Sequence, residues 1–188
     1  TATPYRMNHG YIYGDLCKTP YANWFKKKTF SIGIDELQEK KYLCDYLYMV
    51  ADDNISKDLE NVSLNTFGEY KTEDLESKVI KHEHLMSAVK TLESQALDRR
   101  SIVIFCVSIL HAEKMKEVFV EAGIVTESIH SEMDIEDRDR ILEDFNKGKI
   151  RILTNVNVLT EGWDAPRTDC VMLCRPTLSP ALYVQMVG

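Results

Sequence analysis

The chain has 188 residues, of which 44% are hydrophobic and 28% are charged. This composition is typical of a globular protein with one full core and some additional structure, and it excludes disordered and fibrous classes. Asp and Glu number 30 against 23 Lys and Arg, so the formal net charge is -7. That charge argues against broad, unspecific attraction to phosphate polymers but leaves room for a localised phosphate site.

Targeting and redox signals are weak. The sequence has no apolar run near the roughly 20 residues that a bilayer span needs and no basic, apolar leader, so we expect a cytoplasmic protein without membrane contact. The number of cysteines, five, is odd, and the sequence has no C-x-x-C pair. Neither a disulfide framework nor a metal site is therefore favoured. We expect most of them to be small core residues, with Cys170 and Cys174 on one strand face.

The first 80 residues carry little periodicity. Residues 1–50 are rich in turn signals and tyrosines, with one short helical candidate at 34–43, and the polar stretch 51–72 predicts a connector. The sequence starts without Met and stops inside a periodic segment, so we expect both ends to continue into a longer chain. His82 and His84 are two apart, which points them in different directions on a helix, and we expect a solvated face there.

The second half alternates between strands and helices. Leu85, Val89 and Leu92 recur at helical spacing, and the uninterrupted apolar run 102–107 is typical of a strand covered on both faces. The later predicted elements are a helix ending at Gly123, a strand at 124–130, a helix at 134–146, strands at 150–154 and 169–175, and a helix from Ser179. This order predicts an α/β fold with a parallel sheet and helices on both faces.

Ligands of such sheets gather at the carboxyl ends of the strands. In the loop after residue 154, Gly162 permits close backbone approach or a positive φ, and Asp164 offers a carboxylate to a ribose hydroxyl or a metal-bound water. A Gly-Asp turn fixed by Pro166 would explain the same residues without any ligand. On spacing alone, both interpretations stay open.

Other polar residues also follow strands or begin helices. Thr154 and Asn155 end a strand and Ser108 begins a helix, where a hydroxyl and backbone N–H groups can bind phosphate or simply act as caps. Arg138 and Arg140 lie among acids, which favours intrahelical ion pairs, for Arg140 above all. The sequence contains no Gly-rich Lys-Ser/Thr phosphate loop, so another domain must supply most of any nucleotide site.

Five segments, taken together and in this order, resemble the C-terminal half of superfamily 2 helicases and translocases, in the RadD-like and XPB-like branch that type III restriction subunits approach. The matching segments are 1–4 (motif III), 101–108 (motif IV), 130–145 (a His, a small residue, then Arg and Phe on a helix), 153–166 (motif V) and 182–188 (the start of motif VI). Ser131 and Asn155 depart from the Gly and Asp of many relatives, and Lys41 stands where the branch has Gly.

The resemblance implies a RecA-like domain organisation. Residues 1–20 would end the first, ATP-binding domain, residues 21–80 would connect, and residues 81–188 would form the second domain. The intact parent would hydrolyse ATP with Mg²⁺ between the two domains and use the closure to move along or remodel DNA, with RNA as the other possible polymer, in repair, recombination or restriction. Its partners would be nucleic acid and the first domain of the same chain.

The resemblance also implies roles for individual residues. They are Glu161, Gly162 and Asp164 at the nucleotide; Gln185 in the catalytic group; Ser108, His111, Thr154 and Asn155 beside the nucleic-acid backbone; and Thr1 and Thr3 in coupling. The arginine that stabilises the transferring phosphoryl group in relatives would follow Gly188, so we expect these 188 residues alone to be inactive. The alternative to a motor fragment is an inert RecA-like binding or scaffolding module; an unrelated Rossmann-type domain fits the ordered motifs poorly.

Overall fold

A computed structural model describes residues 5–6, 10–11, 27, 29–49, 58–159, 163 and 165–187. The chain divides into two compact units, Thr1–Val50 and Ala51–Gly188. The domain limits predicted at residues 20 and 80 stay a prediction. Among the residues described, no helix is long and apolar enough to cross a membrane.

The first unit contains short elements. Strands β1 (Tyr5–Arg6) and β2 (Gly10–Tyr11) pair antiparallel, and helix α1 covers Ile34–Glu39. Lys41 follows α1 with φ of 60°. The N–H of Lys41 bonds to the Gln38 carbonyl and that of Tyr42 to the Leu37 carbonyl, which is the Schellman arrangement. That arrangement needs a left-handed residue, which explains why glycine is at home at the position of Lys41 in the branch that the sequence resembles.

The second unit contains a four-stranded, entirely parallel sheet with the strand order β4-β5-β3-β6. Its strands are β3 (Ile102–Phe105), β4 (Thr126–Ile129), β5 (Ile152–Asn155) and β6 (Cys170–Leu173). Its helices are α2 (Thr72–Val79), α3 (His82–Gln95), α4 (Ile109–Glu121), α5 (Ile135–Asn146) and α6 (Pro180–Val187). The predicted α/β fold is confirmed.

Side chains of β3 alternate between two core layers. Ile102 and Ile104 pack with residues of α3 and α4, including Leu92 and Phe119, on one face. Val103 and Phe105 pack on the other face with residues of α5 and α6, including Ile141, Phe145 and Met186. Because β3 is buried on both faces, its sequence lacks the apolar–polar alternation of a half-exposed strand.

The cysteines follow this layering in part. Cys106 is buried, and Cys170 and Cys174 pack half-buried against the α3–α4 layer, as their shared strand face predicts. Cys44 is exposed, so it is not a core residue. Burial raises the pKa of the Cys106 thiol well above its ordinary value, which keeps that thiol protonated and unreactive.

The predicted connector folds onto the second unit from residue 58 onward. Val62 is buried with Leu75, Val79 and Val107 in a small separate core cluster. Leu64 and Tyr70 form an antiparallel bridge, which closes a tight turn at residues 64–70. The sequence of this segment is too polar to predict that packing, because its few apolar residues lack any helical or strand period.

Strand β5 begins later than predicted. Ile150 was included in the strand because of its apolar side chain, and it is indeed buried, but the ladder starts at Ile152. The guanidinium of Arg151 donates to the carbonyls of Leu97 and Arg99. Arg151, which directly precedes β5, is thus bonded to the loop that connects α3 to β3. The buried segment therefore starts two residues before the first residue that pairs in the sheet.

Helices α4 and α5 both end in the Schellman arrangement, at Gly123 and Gly148, with φ of 79° and 75°. We predict that Gly123→Ala lowers the free energy of unfolding by about 1–2 kcal/mol, the cost of a left-handed L residue. No atom lies within 4 Å of the added Cβ, so the loss reports backbone conformation alone. Gly123→Asn should lose less, since asparagine tolerates this region. Urea unfolding of the parent and the two variants measures these free energies. An alanine variant as stable as the parent would contradict the prediction.

Candidate nucleotide and nucleic-acid site

The loops at the carboxyl edge of the sheet are brought together by strand register. Phe105 pairs with Asn155 on one side and with Leu173 on the other, and Asn155 pairs with Ile129. The segments that follow these four strands therefore meet at one edge. This is the edge where parallel α/β sheets bind their ligands.

Ser108 and His111 close the turn that leads from β3 into α4. Ser108 is the N-cap of α4, and its hydroxyl oxygen accepts from the His111 N–H at 3.1 Å. The His111 ring accepts the Val107 N–H at Nδ1 over 3.3 Å, which leaves the proton of the neutral ring on Nε2. Capping was the alternative reading for Ser108, and the geometry supports it.

His111 is 1% exposed, and burial lowers its pKa to about 4. The ring is therefore neutral at physiological pH and offers no positive charge to a phosphate. Its ring lines a cavity of about 150 Å³ together with Met115 of α4, His84 of α3 and Cys174 beyond β6. In this conformation the ring supports the turn from inside the domain.

Thr154 and Asn155 are both fully buried. The Thr154 hydroxyl shares its single proton between the carbonyls of Ala112 and Glu127, at 3.3 and 3.4 Å, and the Asn155 amide donates to the Ile104 carbonyl at 3.1 Å. These side chains therefore join neighbouring elements inside the sheet. Their predicted place beside the nucleic-acid backbone stays a prediction about this edge, because a buried side chain reaches no ligand in this conformation.

Gln185 lies on α6 and lines a cavity of about 170 Å³ that Trp163 also lines. Trp163 is held against the core by Phe145, with ring centroids 6.1 Å apart. The predicted catalytic residue is thus brought beside the loop that follows β5. The predicted nucleotide residues Glu161, Gly162 and Asp164, and the predicted coupling residues Thr1 and Thr3, lie outside the described residues.

Arg175, which our reading of the sequence missed, bridges two loops of this edge. Its guanidinium donates to the Asn157 side chain, and Asn157 has a left-handed backbone with φ of 57°. Burial lowers the pKa of Arg175 from its ordinary value, but a guanidinium stays charged at any physiological pH. Its only signal in the sequence was a cation at the end of the strand predicted at 169–175.

The predicted solvated face holds for His82, which is exposed, but it was wrong for His84. Its Nε2 lies 2.9 Å from Asp58 Oδ2, and its side chain is 8% exposed. Lys81 Nζ approaches the same oxygen at 2.6 Å, and the hydrogen bonds from Lys81 and His84 lower the pKa of Asp58 to about 2. Glu83 brings a third ligand-type atom within 4.8 Å, but Lys81 already neutralises the carboxylate. The group fastens residue 58 to α3.

Comparisons with known proteins agree with this arrangement. The profile of the helicase conserved C-terminal domain matches residues 81–188. A Saccharomyces cerevisiae protein described as ATP-dependent helicase IRC3 is 31% identical over 164 residues, covering 86% of this chain and 23% of that protein. The ATP-dependent RNA helicase DHH1 of Encephalitozoon cuniculi is 32% identical over 135 residues, covering 72% of this chain and 26% of that protein.

A solved structure of a Saccharomyces cerevisiae Dbp5 variant bound to RNA and ADP BeF3 is similar at a TM-score of 0.51 and 25% identity, covering 56% of this chain and 28% of that chain. Fold and comparisons together define a RecA-like α/β domain of the superfamily 2 helicase type. The chain belongs to the helicase conserved C-terminal domain family. It spans about a quarter of the length of the two curated relatives.

The buried neutral ring of His111 makes stability depend on pH. The pKa of the His111 ring is 6.5 in the unfolded chain and about 4 in the folded chain. Below pH 6.5 the unfolded chain therefore binds a proton that the folded chain does not bind, and the free energy of unfolding falls. We predict that acidification from pH 7 to pH 4 costs about 3 kcal/mol through this residue alone. Chemical unfolding at several pH values, compared with His111→Gln, measures the difference in slope. Equal slopes for both proteins would contradict it.

Proposed function

We propose that this chain is the second RecA-like domain of an ATP-driven motor that moves along or remodels nucleic acid. The observation that carries the proposal is the shared cavity of Gln185 and Trp163, since it joins the last turn of α6 to the loop that resembles motif V. In the family that the sequence resembles, both segments face the nucleotide. The ATP-dependent helicases among the relatives support the same activity for the parent.

The nucleotide would meet this domain through Glu161, Gly162 and Asp164, with Gln185 beside them. ATP with Mg²⁺ supplies the phosphoryl group whose hydrolysis drives domain closure. This chain contributes a backbone that permits close approach, two carboxylates and an amide. The printed sequence contains no phosphate-binding loop with its lysine, so the first RecA-like domain would supply those groups.

The nucleic acid would lie along the carboxyl edge. Arg138 lies near the start of α5, is half-buried, and has no ion pair among the described residues. Arg140, two residues on, is paired with Asp137 at 2.8 Å, as predicted. A phosphate is a natural partner for an arginine that intrahelical acids leave available. DNA is our first expectation for the polymer, and the RNA-bound Dbp5 structure makes RNA the required second arm of any test.

The first test compares the full-length parent with the 188-residue chain. We expect DNA- or RNA-stimulated phosphate release from the parent and none above a mock preparation from the chain alone, because the phosphate loop is not within it. If the parent binds nucleic acid but releases no phosphate with either DNA or RNA, the domain is instead an inert binding module. Phosphate release from the isolated chain would contradict the expected division of the site.

A matched pair of arginine variants tests the nucleic-acid surface. In the full-length parent we expect Arg138→Ala to weaken polymer binding about 5- to 30-fold, the effect of losing one phosphate contact worth about 1–2 kcal/mol, and to reduce the salt slope. Arg140→Ala should change binding less than twofold, because its partner is Asp137. Fluorescence anisotropy at several salt concentrations measures both. Equal losses in the two variants would show a general charge effect and remove Arg138 from the surface.

A further inference from the structure

Glu69 lies in the tight turn at residues 64–70, far in sequence from the sheet. The Asn65 side-chain oxygen accepts from the N–H groups of Phe67 and Glu69, and Gly68 has φ of 78°. The Lys71 N–H bonds to the Ser63 carbonyl just outside the turn. The turn is therefore built to present residue 69 in one direction.

The carboxylate of Glu69 meets the loop between β6 and α6. It accepts from the Thr177 hydroxyl at 2.6 Å, from the Leu178 N–H at 3.0 Å and from the Ser179 N–H at 3.1 Å. Its own neighbour Tyr70 adds an N–H at 2.9 Å. Both carboxylate oxygens are used, and bonds to an ionised acceptor are the stronger kind.

These contacts act where α6 begins. The Ser179 hydroxyl accepts from the Leu182 N–H at 3.3 Å, and the Tyr183 N–H bonds to the Ser179 carbonyl, so the helix already has its own N-cap. Glu69 bonds to the residues that enter this cap. Since Ser179 already caps the helix, the bonds from Glu69 add a long-range contact that restricts the path of the chain into α6.

The same loop is held from its other end. Arg175 donates to Asn157 in the loop after β5, and Glu69 lies close enough to favour the charged form of Arg175. Residues 175–179 are thus tied on one side to the loop that resembles motif V and on the other side to the 64–70 turn. Both ties therefore act on the segment that leads into α6.

We propose that Glu69 is a positioning residue that sets the direction of α6 and so the placement of Gln185 at the nucleotide site. Its catalytic consequence rests on the proposed function; its structural part, the contact with the α6 entry, does not. Because Glu69 is bonded within the domain and lies in none of the segments that we assign to nucleotide or nucleic-acid contact, its loss should affect turnover and leave ground-state binding nearly unchanged.

The contact itself is tested on the 188-residue chain by amide hydrogen exchange. Glu69→Gln keeps the shape but replaces one acceptor oxygen with a donor group that faces N–H donors, so the Leu178 and Ser179 amides should exchange at least tenfold faster. The control is Glu60→Gln, an exposed glutamate of the same segment, which should leave both amides unchanged. Thermal melting shows whether each variant stays folded. Unchanged exchange in a folded Glu69→Gln variant overturns the proposal.

The consequence is tested on the full-length parent by ATPase kinetics. We expect Glu69→Gln to lower kcat about tenfold with KM for ATP and polymer affinity within twofold, and Glu69→Asp to recover part of the rate because it restores the charge. A merely structural role would instead lower the melting temperature and the active fraction of both variants without this split. Faster amide exchange with an unchanged kcat overturns the positioning role. A wild-type parent without ATPase removes the proposed function, while the exchange experiment still decides the contact.

Discussion

Strand β3 is the constraint on which the second unit depends. It is hydrogen-bonded to β5 on one side and to β6 on the other, and both of its faces are covered. A strand in that position cannot shift its register by one residue without moving Ile102 and Ile104 into the wrong core layer. Because the neighbouring strands are parallel and in register with it, all four strand ends are fixed by the same set of bonds.

Three of the predicted site residues stabilise the carboxyl edge of the sheet from inside the domain. Thr154, Asn155 and His111 look like ligand-facing residues by their position at strand and helix ends, yet all three are buried and bonded within the domain. They hold the edge together, and they support the loops in which we propose the ligand contacts. The candidate groups for those contacts are then Arg138, Gln185 and the loop that Trp163 anchors.

The sheet could be predicted from the sequence because a strand that is buried on both faces appears as an uninterrupted apolar run. The apolar run of β3 and the helical stripes of α3, α4 and α5 were enough to place these elements within one or two residues. The ties made by Glu69, Arg175 and Asp58 could not be predicted. Each joins segments between 18 and 110 positions apart, and polar residues in a turn or after a strand have no period that reveals their partner.

The family resemblance predicted more than the residue pattern did. It assigned the loop around Gly162 to the nucleotide and Gln185 to the catalytic group, and Trp163 of that loop lines one cavity with Gln185. In the branch that the sequence resembles, glycine stands at the position of Lys41, and a glycine there would fit the left-handed φ of 60°. The residue pattern alone offered no reason to single out that lysine.

The two edges of the sheet are built by different means. At the amino edge, α4 and α5 reverse through glycines whose backbone conformation few other residues adopt, at Gly123 and Gly148. At the carboxyl edge, the chain is directed by side chains such as Ser108, Arg175 and Glu69. Mutations at the second edge can change one loop at a time while Gly123 and Gly148 still return α4 and α5 to β4 and β5. A domain divided in this way can diverge in what it acts upon without losing its architecture.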